Sequence, residues 1–358
     1  MPNPRYTPFL KLKANEIAAY AALSEEIKQQ IKPFFDLARR DGMTEASFCG
    51  MVTKAKTKVQ RYLGKQFFFL DNYDISDDLS VNGKANYEFV IETFRELNFI
   101  PVIGLNRTDA HNKAVFVGKK QGLIKSDTAA IRLEETDFEL FELVKENLTE
   151  LLEDGDLFQD WVLILDCGMC RNVDAAAHAV KLATFIKRAN ETFEFTEIIV
   201  TGSSIPASIA DVAKVQQREV IARNELLIYR AVLNTPDVGI VAFGDYTVVS
   251  PLYSDITIPP EMMRNVTAPK VLYSHEDQHL IARGGALKTH ARGSLQYNDI
   301  AGEIVKLAVY RGPAYSFGDN FLHEKAQMLG KQVTPGSILN PTINAHITYM
   351  VAGHPVWV

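Results

Sequence analysis

The chain has 358 residues, 47% of them hydrophobic and 23% charged, with 21 Gly and 15 Pro; these proportions exclude collagen-like, disordered and disulfide-scaffold classes. Lys plus Arg number 38 and Asp plus Glu 44, for a net charge of −6, which argues against nonspecific binding to nucleic acid or to an anionic membrane. No stretch reaches the roughly 20 apolar residues of a membrane-spanning helix and the first residues lead into no apolar signal core, so a cytoplasmic protein is expected.

From the N-terminus, eight short apolar runs alternate with longer amphipathic segments. The runs cover residues 6–12, 31–37, 66–70, 99–105, 129–133, 161–166, 197–201 and 239–243. Most are near-continuous in Val, Ile, Leu and Phe, the pattern of parallel strands covered on both faces. Helical periodicity falls between them, at 16–30, 45–63, 86–97, 110–121, 138–152, 173–189 and 207–233. Eight strands alternating with helices predict a (β/α)₈ TIM-like barrel, an α/β fold of about 250 residues. An open doubly wound sheet is the alternative, but Lys11-Leu12-Lys13-Ala14-Asn15 after the first run holds none of the glycines of a dinucleotide turn. The barrel is expected to span residues 1–310, with a proline-rich insertion at about 251–295 and a closing helix at 296–310. Residues 311–358 then form an α-rich appendage packed on the barrel, too short for a core of its own.

Barrels gather functional side chains at the C-terminal ends of their strands. Here those ends carry Lys11 and Lys13, Asp36, Asp71, Asn106 with Arg107, Arg132 with Glu134, Asp166, residues 201–204, and Asp245 with Tyr246. Strand alternation puts Phe67, Phe69 and Asp71 on one face, and Val162, Ile164 and Asp166 on one face. Pointing inward, such a set makes a mouth of mixed sign, fit for a zwitterionic or phosphorylated molecule, a peptide segment or a metal. Each acid taken singly is as well explained by a helix cap or an ion pair. The Gly202-Ser203-Ser204 turn follows the seventh strand, where barrels often hold phosphate.

Cys167-Gly168-Met169-Cys170 has C-x-x-C spacing. No second pair of Cys or His at metal spacing accompanies it, so two reduced thiols at a strand end are expected. His275 and His279 have metal-ligand spacing if helical, but lack the H-E-x-x-H order and read as surface histidines. Residues 216–225 read as part of a charged, partly solvated helix face.

Several patterns together resemble the beta protein family, which is encoded in phages, phage satellites and bacterial genomes. The opening Tyr6-Thr7-Pro8-Phe9-Leu10-Lys11-Leu12-Lys13-Ala14-Asn15-Glu16 and Ile31-Lys32-Pro33-Phe34-Phe35-Asp36 are similar to its N-terminal signature. Ile131-Arg132-Leu133, Ser204-Ile205-Pro206, Arg223-Asn224-Glu225-Leu226, Gly244-Asp245-Tyr246, Ser316-Phe317-Gly318-Asp319 and Asn344-Ala345-His346 follow in the family's order. The chain departs from the pattern at Leu272-Tyr273-Ser274, at Ile338-Leu339-Asn340-Pro341, and in carrying one histidine at His346 where a pair is common. The resemblance implies a barrel-like fold and a setting in phage–host conflict: exclusion, defence or antagonism of a toxic protein.

The expectation is therefore a protein that recognises a partner of phage or host origin, or a small polar or anionic ligand, at the charged mouth. Lys11, Lys13, Asp71, Arg132, Asp166, Asp245 and Tyr246 are its candidate ligand-binding residues, with Asp319 and His346 contributing from a lid. Replacing Arg132 or Asp245 by Ala would then abolish the effect in a folded protein. No cofactor is expected. The rival reading is a hydrolase or lyase using Asp71, Asp166 and Asp245 with a divalent metal or as acid–base carboxylates. In a third, the barrel is an inert scaffold and its outer helices bind a protein.

Overall fold

The structure is a computed structural model and describes residues 6–253 and 267–357. Each apolar run becomes a strand. In chain order these are β1 (Tyr6–Lys11), β2 (Phe34–Asp36), β3 (Phe68–Asp71), a small ribbon of β4 (Ser80–Val81) and β5 (Lys84–Ala85), β6 (Phe99–Ile103), β7 (Thr128–Glu134), β8 (Asp160–Met169), β9 (Glu197–Ser203), β10 (Gln217–Ala222) and β11 (Ala242–Asp245). Strands β1, β2, β3, β6, β7, β8, β9 and β11 hydrogen-bond in that order and close on β1 as a parallel barrel. Closure leaves no open sheet edge in the barrel, and helices cover the outward face.

Those helices are α1 (Ala14–Ala21), α2 (Glu25–Gln29), α3 (Glu45–Leu63), α4 (Asn86–Phe94), α5 (Asp109–Lys120), α6 (Phe141–Asp154), α7 (Ala175–Thr192) and α8 (Asn224–Leu233). Several start where a short polar side chain takes up a free N–H of the first turn: Ser24, Thr44, Thr108 and Asp174 all do so. The expected helix at 16–30 is two helices, α1 and α2. The expected helix at 207–233 is a 3₁₀ turn (Ile209–Asp211), strand β10 and α8. Gln216 turns the chain at φ 60°, and residues 217–222 pair antiparallel with a later strand, so that part of the charged run lies on an exposed sheet edge, while Arg223 and Glu225, at the start of α8, are buried.

After the barrel the chain forms β12 (Lys270–His275) and β13 (Gln278–Arg283), a hairpin that joins β10 in a three-stranded sheet of order β10-β13-β12. Helices α9 (Gln296–Ile304), α10 (Phe317–Ala326) and α11 (Leu339–Ala352) follow. The proline-rich expectation falls partly on residues 254–266, outside the described residues. The helix that packs against β1, α1 and α2 is α11, not 296–310: Ile343, Ile347 and Met350 belong to the main core, whereas Tyr297, Ile300 and Ile304 of α9 form a small second core with β12 and α10. The last helix thus completes the barrel's outer layer from the far end of the chain. Among the described residues no helix is long and apolar enough to cross a membrane.

Inside the barrel, strand alternation collects Phe9, Phe34, Phe69, Val102, Ala130, Val162, Ile164 and Tyr246. The first three stack across adjacent strands with ring centroids 4.3 and 5.8 Å apart. This apolar layer floors the cavity above it. Phe67 precedes β3 and is exposed.

Helices α10 and α11 cross at Gly318. A Cβ built there would stand 1.9 Å from the Pro341 carbonyl oxygen and 2.7 Å from the Ala345 methyl, and Gly318 N–H donates to Asn344 Oδ1 at 3.1 Å. Gly318→Ala is therefore expected to destabilise by about 3 kcal/mol, the upper end of overpacking costs, because the obstacle is backbone; urea unfolding checks it, and a change under about 0.5 kcal/mol would show that the helices separate freely.

Candidate functional site

One step past the apolar layer, the inward positions become charged. Register sets Lys11 beside Asp36 and Asp36 beside Asp71, and the parity that points Ala130 and Ile164 inward carries Arg132 and Asp166 inward too. Arg132 is 3% exposed and its guanidinium is fully engaged. Nε and Nη2 donate to Asp166 Oδ2 at 3.0 and 2.6 Å, Nη1 donates to Asp71 Oδ2 at 2.9 Å, and Nη2 contacts the Tyr246 hydroxyl at 2.7 Å. Tyr246 in turn donates to Asp166 at 2.5 Å. Arg107 adds a second cation, with Nη2 at 2.7 Å from both oxygens of Asp71. Lys11 donates to Asp36 at 3.0 Å and to Asp74, whose other partner is the Tyr253 hydroxyl at 3.0 Å. At the rim, exposed Lys13 sits 5.3 Å from the Tyr253 ring centroid.

Burial and neighbours divide these acids. Burial would raise the Asp71 carboxyl, but Arg107 and Arg132 outweigh it and hold it below the ordinary range. Asp36 is pushed up to about 6, by burial and against Lys11, and its Oδ1 is buried without a partner. Glu134 is raised to about 7 by burial and by Asp166 and Asp137. It lines a cavity of about 260 Å³ with Lys11, Tyr73, Arg132, Glu135 and Asp166, and its carboxylate accepts the Tyr73 hydroxyl. The Tyr73 ring centroid lies 4.7 Å from the Arg107 guanidinium and 4.4 Å from that of Arg132. Among the described residues no group of three His, Cys, Asp or Glu side chains is arranged to hold a metal ion.

The family model of the Beta protein matches residues 6–352. The chain belongs to that family. The match runs from the first barrel strand to the end of α11, so the helix that closes the outer layer is part of the family's unit. A search of curated proteins finds no match.

In this beta-family chain the predicted site residues separate into two groups. Lys11, Asp71, Arg132, Asp166 and Tyr246 meet at the mouth, and Lys13 stands at its rim. Asp245, Asp319 and His346 do not reach it. Asp245 precedes Tyr246 by one residue, so it faces the opposite way, into the layer between barrel and helices. There Tyr6 donates to its Oδ1 at 2.7 Å, Arg223 Nη2 to its Oδ2 at 2.7 Å, and His346 Nε2 lies 2.9 Å from Oδ2. Asp319 is buried further out, accepting from Tyr273 at 2.5 Å. Asp71, Asp166 and Asp245 therefore do not form one carboxylate site.

The other sequence readings are also placed. His275 and His279 sit on the β12–β13 hairpin, not on a helix, and His279 is buried, which corrects its reading as a surface histidine; His346 and His354 are buried as well. The Ser203 and Ser204 hydroxyls bind Val249 O and Glu225, so the glycine–serine turn spends its polar groups inside the fold. Cys167 and Cys170 are buried free thiols, both pushed up by burial. A Cβ at Gly202 would lie 3.2 Å from Cys170 Sγ and from Cys167 Cβ, which explains small residues at that crossing.

Glu134 is named above among the strand-end residues but not among the candidate ligand-binding ones; Glu135 and Tyr73 are in neither set. Glu134 shares the inward parity of Ala130 and Arg132. Tyr73 lies beyond the end of β3, and no periodicity points to it.

Proposed function

We propose that this beta-family protein acts in phage–host conflict, in the cytoplasm, by binding at the barrel mouth a small polar ligand, or a side chain of a partner protein, through a cationic group. The observation that carries this reading is the balance of charge around the cavity. Three carboxylates (Glu134, Glu135 and Asp166) line it with two basic side chains, Lys11 and Arg132, each of which already binds two aspartates. A cation entering between Glu134 and Asp166 relieves repulsion between acids, whereas an anion would have to displace an aspartate from Arg132.

Glu134 makes the reading testable. Its carboxyl, at about 7, must ionise to hold a cation, so the affinity for a probe such as agmatine should fall by about thirtyfold between pH 8 and pH 5.5. In Glu134→Gln the affinity should be weak and nearly pH-independent. Calorimetric titration reads both; binding by the variant as tight as that of the wild type at pH 8, with the same loss at pH 5.5, would sink the mouth as a cation site. Loss of phage protection in Glu134→Gln, with unchanged folding, is the corresponding biological outcome.

A second reading has one observation in its favour: a carboxyl near 7 beside a cavity is suited to general acid–base catalysis at neutral pH. Recovery of the bound molecule chemically unchanged supports binding, and conversion to a product that requires Glu134 supports catalysis.

A further inference from the structure

The same end of the barrel has a second cavity, of about 680 Å³, on the other side of Tyr73. Its walls come from the loop after β2, with Arg39 and Arg40, from the segment after β3, with Tyr73, Asp74 and Asp77, and from the turn after β6, with Arg107. The acidic groups here are occupied: Asp74 by Lys11 and Tyr253, and Asp77 by the N–H of Thr108 at 3.3 Å. The basic groups have donors to spare. Arg39 and Arg40 are exposed and make no salt bridge among the described residues; Arg39 lies 4.6 Å from the Tyr253 ring centroid. Arg107 is only 6% exposed in its side chain, spends Nη2 on Asp71, and keeps Nε buried without a partner. Two exposed guanidiniums, beside a third that lines the same cavity, are suited to the planar, multidentate recognition of phosphate oxygens.

Tyr73 lines both cavities, with its ring near Arg107 and Arg132 and its hydroxyl on Glu134. Glu134, Glu135 and Asp166 line the first cavity, and Arg39, Arg40 and Arg107 line the second. We propose that the cavity of Arg39, Arg40 and Arg107 is an anion subsite for the ligand whose cationic group occupies the mouth. The ligand is then a bipolar small molecule, with an amine or similar cation at one end and a phosphate at the other, crossing the edge of Tyr73. This inference rests on the mouth reading for the cationic end and on the arginine cavity alone for the phosphate end.

Calorimetry with inorganic phosphate, a simple alkylamine and ω-aminoalkyl phosphates of increasing chain length tests the two ends separately. Wild-type protein should bind phosphate, and the double variant Arg39→Glu/Arg40→Glu should bind it about tenfold more weakly or worse. Both positions are exposed, so the variant is expected to fold. One chain length should bind about tenfold tighter than either fragment, because joining the ends makes the second contact intramolecular. Glu134→Gln should erase that gain while leaving inorganic phosphate binding intact. If phosphate does not bind, or binds equally to the double variant, the anion subsite is wrong, and Glu134-dependent amine binding would leave the mouth reading standing. If phosphate binds through the arginines but no appended amine improves it, the bipolar ligand is wrong.

Discussion

Replacing Arg132 by Met is expected to lower folding stability by about 3–5 kcal/mol, measured as a shift in the urea unfolding midpoint. The guanidinium is nearly fully buried and is the shared partner of Asp71, Asp166 and Tyr246, with Asp36 3.5 Å away. Without it, Asp71 retains Arg107 and Asp36 retains Lys11, but Asp166 keeps only the Tyr246 hydroxyl and the N–H of Gly168. Buried carboxylates then face one another without a cation, a far costlier state than the absence of a salt bridge at a surface. The loss should grow with pH. Asp36 already has a folded-state value of about 6, above that of an unfolded Asp, so its contribution is present at low pH and is lost as pH rises through about 6. Removing Arg132 moves Asp36 further in that direction, and the variant should be relatively less impaired at pH 5 than at pH 8. Adding Asp166→Asn to Arg132→Met should restore part of the loss, because the unpaired charge disappears. A deficit below about 1 kcal/mol at both pH values would mean that water solvates the mouth acids. A failed biological assay of an Arg132 variant therefore does not locate the ligand; Glu134, half-buried on the cavity wall, is the better probe.

The barrel was legible because its cause is local. Eight runs of Val, Ile, Leu and Phe at regular spacing have few ways to be buried, and parity then carries Lys11, Asp71, Arg132 and Asp166 inward. The same parity separates Asp245 from Tyr246, and treating the two as one strand-end group merged a buried structural acid with a mouth residue. What periodicity does not encode is pairing over long distance. Nothing near residues 217–222 announces that they will pair with β13, and nothing near Leu339 announces that it begins the helix beside β1, because both outcomes are decided by which surface is left uncovered once the barrel has closed. The family-like motifs converge in space at two places: Lys11, Asp36, Arg132 and Tyr246 at the mouth, and away from it Ser204 binds Glu225, Arg223 binds Asp245, Asp245 binds His346, and Gly318 packs on Asn344 and Ala345.

That fastening gives the second large effect: Asp245→Ala should cost about 3–5 kcal/mol although no ligand approaches it. Burial alone would push the Asp245 carboxyl up; the His346 ring, the Arg223 guanidinium and the Tyr6 hydroxyl outweigh it and hold it well below the usual range. Burial lowers His346 and His279 as well, and both act as neutral rings. Ser274 Oγ lies 2.9 Å from His279 Nδ1 and 2.6 Å from His346 Nδ1, so its single proton serves only one of the two rings, while the far nitrogens face Glu225 and Asp245. Asp245 ends this relay and also neutralises Arg223, which is fully buried and is otherwise bound by Glu225 at 3.2 Å, the Glu276 carbonyl and Met350 Sδ. Alanine strands the guanidinium's Nη2, the Tyr6 hydroxyl and the His346 N–H together. Asp245→Asn keeps an acceptor for part of this set and should lose less than Ala. Because the folded carboxyl lies below its unfolded value, its stabilisation is complete above the unfolded value of about 4 and is lost only as pH falls through the folded one. At pH 7 the difference between wild type and Asp245→Asn should be at its full size, narrowing in strong acid. Equal urea midpoints for wild type and Asp245→Ala at pH 7 would show that the relay is not what fastens α11 and the β12–β13 hairpin to the barrel.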